Sequence, residues 1–249
     1  MTPFRFINNM LGKLFYLVKS DAPIWFIFRT FYLHFLSLFC KNRAKFIEER
    51  DIFIARCKSL EVDNDWFSGN IPMWLKVFQE NEYKQDSELE CLEIGSWQGL
   101  SAVFTLEFFK NANLTCVDTW AGADEHRSED ASTLSVLNDV ETVFNKNLAP
   151  HADRLNKYKG TSYQFFNDNF AAEKFDLIYI DGSHHSDDVV VDAVKSFEML
   201  KVGGIIIFDD YLWQFYERAI DNPAGAINAF LRLKKYQLEI VSSQYQVCF

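Results

Sequence analysis

Between Glu90 and Asp209 the chain repeats one pattern, a short run of β-branched and apolar residues followed by a stretch with helical spacing. The runs are Glu90 to Ile94, Leu114 to Asp118, Arg154 to Lys159, Phe175 to Asp181 and Gly204 to Asp209. Strand and helix in alternation predict parallel strands joined by crossover helices, an open, doubly wound α/β sheet. Such sheets bind ligands outside the carboxyl ends of their strands. The residues that close or follow these runs, Gly95, Asp118, Gly160, Asp181, Asp209 and Asp210, are therefore the first candidates for a site. At the C-terminal end, a helical stretch from Ala226 to Lys234 precedes two apolar runs, 236–241 and 245–249, whose short connection favours an antiparallel hairpin. The expectation is a seven-stranded, mostly parallel sheet.

The first 60 residues differ from the rest. Phe4, Ile7, Leu11, Leu14, Phe15 and Val18 recur at helical steps, and Trp25, Phe26, Phe28, Phe31, Tyr32, Phe35 and Phe39 crowd the next stretch. That stretch has about the length of a bilayer span, but Arg29 lies near its middle, at a cost of roughly 2.5–3.5 kcal/mol on insertion scales. A transmembrane helix is therefore disfavoured, and no small-residue cleavage site marks a signal peptide. Through Lys58 the chain carries ten Lys/Arg against four Asp/Glu, so the total of -10 leaves a body of -16. An acidic body argues against duplex nucleic acid as a partner. The expectation is a helical, aromatic-rich, basic extension over 1–60 and a catalytic domain over 61–249. Two readings of the extension stand: helices packed on the body or on a second subunit of a homo-oligomer, and peripheral docking on a membrane through the aromatics and the following Lys41, Arg43, Lys45, Arg50, Arg56 and Lys58. Five cysteines without paired spacing are read as free thiols in a reducing cytosol, with localisation at the inner membrane face under the docking reading.

The chemistry is carried by the strand ends. Gly95 and Gly99 flank the turn after the first strand, where absent side chains let a ligand approach the backbone and the helix N-terminus. Asp118 follows at a separation suited to ribose hydroxyls, although Glu93 and Asp118 can equally serve capping and loop hydrogen bonds. Asp181, Asp209 and Asp210 end neighbouring strands about 4.8 Å apart, so their carboxylates can converge on a divalent cation such as Mg²⁺. Alternatively, Asp210 caps a helix beginning near Tyr211. His184, three residues after Asp181, is the candidate general base; in the other reading it contacts only cofactor or water. Ser186 can cap a helix whose apolar face is Val190, Val194 and Phe197. The long segment from Thr119 to Pro150, with Trp120, Asp124, Glu125, His126 and Arg127, suits a lid over an acceptor; a solvated connection is the plainer reading.

From about Trp66 to the C-terminus, and most specifically in LeuGluIleGlySerTrpGlnGlyLeuSerAla, the chain resembles the class I S-adenosylmethionine-dependent methyltransferases. Within them it is similar to the metal-dependent O-methyltransferases of catechol type and the bacterial sugar O-methyltransferases. The resemblance implies a Rossmann-like fold and S-adenosylmethionine as cofactor. It implies that Glu93, Gly95, Ser96, Trp97, Gly99 and Ser101 line the methionine half, that Asp118 takes the ribose, and that Gly160 and Ser162 approach the adenine. It also implies Asp181, Asp209 and Asp210 as metal ligands and methylation of a hydroxyl on a sugar, glycan or related small molecule; Asp181 and, from its position, His184 are the expected catalytic residues. Those relatives carry a lysine or a second acid where this chain has His184 or Ser183. Two other classes stay open: a nicotinamide-dependent oxidoreductase, which lacks phosphate-cradling glycines here, and a non-catalytic membrane or assembly protein on the same scaffold.

Overall fold

The computed structural model describes residues 12–37, 39–122, 139–243 and 245–249. Its centre is a seven-stranded sheet ordered β3-β2-β1-β4-β5-β7-β6. The strands are β1 Glu90–Ile94, β2 Asn113–Asp118, β3 Leu155–Lys159, β4 Phe175–Ile180, β5 Leu200–Phe208, β6 Ser242–Ser243 and β7 Val247–Cys248. The first five pair in parallel, and β7 runs antiparallel to both β5 and β6. The described helices are α1 (12–19), α2 Ile24–Ser37, α3 Arg43–Arg56, α4 Ile71–Glu80, α5 Leu100–Phe108, α6 Val140–Leu148, α7 Ser162–Asn169, α8 Ser186–Met199 and α9 Pro223–Lys234. This is the doubly wound, mostly parallel seven-stranded sheet expected from the strand pattern, with the Rossmann-like winding that the resemblance implied.

The apolar character of the central strands follows from burial on both faces. Successive side chains of a strand point to opposite sides, so Ile178, Ile180, Ile206 and Phe208 join one cluster with Phe26, Ala193 and Phe230. Leu177, Tyr179, Ile205 and Ile207 join the other, with Trp74, Phe78 and Phe104. The first face is covered by α7, α8, α9 and the inner sides of α1 and α2, the second by α3, α4, α5 and α6.

Three local expectations shift. Residues 236–241 are not strand; β6 is the dipeptide Ser242–Ser243, paired with β7. The helix expected to be capped by Ser186 has His185 at the capping position without a side-chain cap. Its most buried face is Val189, Asp192, Ala193, Ser196 and Met199, because Val190, Val194 and Phe197 lie partly buried on the flank toward α9. The apolar pattern alone hid this face, since two of its five members are polar.

Candidate active site

β1 lies between β2 and β4, so the winding reverses there and a crevice opens at its carboxyl end. The turn that leaves β1 is tightly specified. Gly95 has φ +84° and Gly99 φ +86°, with Trp97 between them also left-handed at +45°. The Gly95 amide donates to the Val117 carbonyl at 2.9 Å and the Asp181 amide donates to the Ile94 carbonyl at 2.8 Å, which ties the turn to strands on both sides. A Cβ on Gly95 would stand 1.9 Å from the Asp181 carbonyl oxygen, so only glycine permits this approach. The glycine turn and the first candidate acid therefore share one crevice.

Asp118, at the end of β2, organises the turn from its other side. Its Oδ2 accepts the Ser96 and Trp97 amides at 2.7 and 2.8 Å, and its Oδ1 accepts the Trp120 amide at 2.7 Å. A carboxylate has about four acceptor positions, so one further donor can be received. The Gly160 amide donates to the Asp118 carbonyl at 2.9 Å, which brings the end of β3 to the same rim. Ser162 opens α7, whose capping box is made by Thr161 and Gln164. Glu93 lies beneath the turn, 1% exposed, and accepts the Ser101 hydroxyl at 3.0 Å. Burial pushes its carboxyl up to about 8, against the pull of Ser101 and Ser96 and with a smaller upward push from Asp118. Trp97 packs at 5.7 Å from Trp66, and its carbonyl accepts the Trp120 indole at 3.0 Å. Glu93, Asp118, Ser96 and Ser101 thus hold the turn in shape, while Gly95 packs on the Asp181 carbonyl and Gly99 on the side chains of Leu148 and Phe144.

The acids divide into two groups. Donor atoms of Asp181, His184 and Asp210 all lie within 4.8 Å of one another. His184 Nε2 stands 2.8 Å from Asp210 Oδ2, and its ring packs against Trp213 with centroids 4.5 Å apart. Asp210 is left-handed at φ 54° and no described helix begins at Tyr211, so its carboxylate is not a helix cap. Asp209, grouped by spacing with Asp181 and Asp210, turns the other way. Its Oδ2 accepts the Tyr179 hydroxyl and the Gln246 amide, the latter at 2.6 Å, while its Oδ1 accepts the Asp210 amide at 2.7 Å. The cause is strand alternation followed by the left-handed residue, which sends neighbouring side chains apart. Tyr179 bridges the two groups, its hydroxyl also lying 2.9 Å from Asp181 Oδ2.

Burial raises the Asp181 carboxyl well above the usual range, helped by Asp209 and Asp210 and opposed by His184 and Tyr179. Asp209 is pushed up to about 6, first by burial and then by Asp210. A crowded set of acids that resists ionisation is what a divalent cation relieves. Two carboxylate oxygens and an imidazole nitrogen at this spacing fit such an ion, and the nitrogen extends the fit from Mg²⁺ to Mn²⁺ and its neighbours. One pocket includes Asp181, Gly182, Ser183, His184, Asp209 and Asp210 in its lining.

Sequence reasoning missed Gln246, Tyr179 and Trp213. Tyr179 was legible, two residues before Asp181 and hence on the same strand face. Gln246 and Trp213 carried no local signal. The lid expectation falls largely on residues 123–138, outside the described residues. Within reach of it, Trp120 is buried against Phe144, with centroids 4.9 Å apart.

A model of a family described as a methyltransferase domain matches residues 92–211, the stretch that contains the carboxyl ends of β1 to β5. No curated protein matches the sequence. Among solved structures, the chain is similar to the MycE methyltransferase of the mycinamycin biosynthetic pathway, solved with Mg, SAH and mycinamycin VI. The TM-score is 0.51 at 14% identity, over 74% of this chain and 50% of that one. The chain thus spans half the length of that enzyme. It is also similar to an O-methyltransferase from Bacillus cereus in complex with SAH, at a TM-score of 0.48 and 13% identity, over 88% of this chain and 96% of that one.

Proposed function

We propose that this chain, whose residues 92–211 match a methyltransferase domain, is an S-adenosylmethionine-dependent methyltransferase of class I type that methylates a hydroxyl of a sugar, glycan or related small molecule with the help of a divalent cation. The observation that carries this reading is the proximity of the Gly95 turn to Asp181, beside which His184 and Asp210 converge. The methyltransferase match disfavours the nicotinamide alternative, which also lacks the glycines a pyrophosphate needs.

Residues along the Gly95 turn, with Asp118 and Gly160, would hold the cofactor, which supplies an electrophilic sulfonium methyl. Asp181, His184 and Asp210 would hold the cation, which supplies Lewis acidity that lowers the pKa of an acceptor hydroxyl. The Mg in the MycE structure, on the same fold, supports this part. Asp209, bonded to Tyr179 and Gln246, fixes the carboxyl end of β5 so that Asp210 faces the pocket. Trp213 packs on the imidazole and limits its rotation.

A second reading of His184 is favoured by its 2.8 Å contact with Asp210. An imidazole oriented by a carboxylate is a competent proton acceptor near neutral pH. The two roles part in one experiment. Thermal shift with S-adenosylmethionine, S-adenosylhomocysteine and NAD, each with Mg²⁺, Mn²⁺ or chelator, is followed by methyl transfer to a panel of glycosides. Stabilisation by the sulfonium cofactor and its product but not NAD is expected, with turnover lost on chelation and in Asp181→Ala by about 100-fold or more. His184→Gln weakens metal affinity if His184 is a ligand, and leaves it intact while removing a proton-acceptor limb from the pH–rate profile if it is the base. Stabilisation by NAD alone, or turnover indifferent to chelator, would sink the proposal.

A further inference from the structure

The outer faces of α1 and α2 carry more exposed aromatic surface than a solvated helix pair needs. On α2 the inner residues Phe26, Thr30 and Leu33 are buried against the body. On the opposite side Ile24, Phe28, Tyr32 and Phe35 are 73%, 72%, 53% and 57% exposed, and Phe39 just beyond the helix is 67% exposed. These positions recur every three or four residues and so form one stripe. On α1, Phe15 and Val18 are likewise 71% and 63% exposed. At 1.5 Å per residue the 14-residue helix is about 21 Å long, and no described helix is long and apolar enough to cross a membrane.

Cations frame the stripe. Lys41, Arg43 and Lys45 follow Phe39, and Lys19 precedes the other end; all four are exposed, and none makes an ion pair with an acid among the described residues. Lys235 joins that second end, its ammonium 5.8 Å from the Trp25 ring. A cavity between α1, α2 and the chain after β5 is lined by Lys13, His34, Leu17, Phe31 and Tyr211 among others, with no acid among the described residues of its wall. Burial holds the Lys13 ammonium below its ordinary value, and the His34 imidazole is lowered by burial and by Lys13.

We propose that this face docks on an anionic phospholipid bilayer, α2 lying in the interface with its aromatic stripe among the acyl chains and the flanking cations at the phosphates. Amphipathic helices with aromatic and basic residues in this arrangement bind lipid surfaces without spanning them. A second copy is the less suitable occupant, because a two-fold contact through this face would set two basic segments against each other. Arg29, which argued against a spanning helix, is withdrawn from the lipid side by donating to the Ile240 carbonyl at 3.1 Å.

The test is co-sedimentation of the full chain with phosphatidylcholine vesicles, with and without phosphatidylglycerol, over a salt series. Binding that requires phosphatidylglycerol and weakens with salt is expected. Phe28→Ser with Phe35→Ser should lower the partition coefficient roughly tenfold or more, and the charge reversals Lys41→Glu, Arg43→Glu and Lys45→Glu should abolish the anionic preference. All of these positions are exposed, and circular dichroism melting checks each fold; the charge reversals decide the matter if the serine variant melts early. Absence of sedimentation, or unchanged binding in both variants, overturns the proposal. So does a dimer in light scattering that the serine variant dissociates without any vesicle binding, since the occupant is then a second copy. Vesicle binding is read without turnover, so its result is separate from that of the methyl-transfer assay.

Discussion

At the scale of single residues, Gly95 and Asp192 make contrasting predictions. Gly95→Ala adds one carbon where the Asp181 carbonyl already stands, at a left-handed φ. We expect a loss of at least about 2–3 kcal/mol in urea unfolding, together with weakened cofactor and metal binding, since the turn and Asp181 must separate. Asp192 lies 1% exposed in the buried face of α8, with Oδ1 lacking a hydrogen-bond partner. Its carboxyl is raised to about 7, first by burial and then by Asp188, against a hydrogen bond from Ser162. In the unfolded chain it titrates near 3.9, so between these values the folded state binds more protons and stability falls as pH rises. Asp192→Asn should therefore leave stability at about pH 4 nearly unchanged and raise it by up to a few kcal/mol above about pH 7. Melting temperatures over that range check it; a constant offset between the two proteins at every pH would contradict the assignment. Acids at strand ends were legible in the sequence because the β pattern stops there. Which of Asp209 and Asp210 faces the pocket was not, because that depends on the left-handed backbone at Asp210. Asp192 escaped notice because a polar residue on a helix reads as solvated until the sheet is in place.

Among elements, the C-terminal hairpin reaches furthest into the site. Gln246, between β6 and β7, donates to Asp209 and accepts the Trp74 indole at 2.7 Å, so one amide links α4, β5 and the hairpin. Gln246→Leu keeps the volume but leaves the buried Asp209 carboxylate short of a donor, with an expected cost of about 1–3 kcal/mol. It should also push Asp209 further up, so the variant keeps losing stability as pH rises above about 6, where the wild-type loss levels off. Chemical denaturation at two pH values measures both effects. The first four parallel strands were recovered to within one residue at each end because their apolar runs are continuous and bounded, whereas β5 begins at Leu200, four residues before the expected Gly204, because the two glycines interrupt its apolar run. The hairpin was placed correctly in order and direction but not in extent. Residues 236–241 have the composition of a strand, yet it is Ser242–Ser243 that pairs with β7, and the hydroxyl of Ser243 lies 2.9 Å from that of Thr30 on α2. A tertiary contact across more than two hundred residues leaves no trace in a local pattern.

For the whole molecule, the basic first segment and the acidic remainder are joined by apolar packing. Tyr16, Leu17, Phe26 and Leu33 lie in the same cluster as Ile206, Phe208 and Phe230. Burial of large apolar side chains contributes about 1.5–3 kcal/mol each, a sum comparable with the net stability of a typical domain, about 5–15 kcal/mol. A chain shortened to 61–249 should therefore melt well below the full protein and aggregate, as monitored by scanning calorimetry and light scattering. Reversible melting at the full-length temperature would show the two parts to be energetically independent. The charge imbalance was visible in the sequence; its physical meaning required knowing which side of each helix is covered.

The Tyr16 hydroxyl donates to the Trp213 carbonyl at 3.1 Å, and the indole of that same residue rests on His184. The helix α1 is thus separated from the His184 imidazole by one intervening amino acid. A displacement of α1 would reach the indole that packs on His184 through a single hydrogen bond, so the proposed lipid-facing surface and the proposed methyl-transfer pocket are mechanical neighbours.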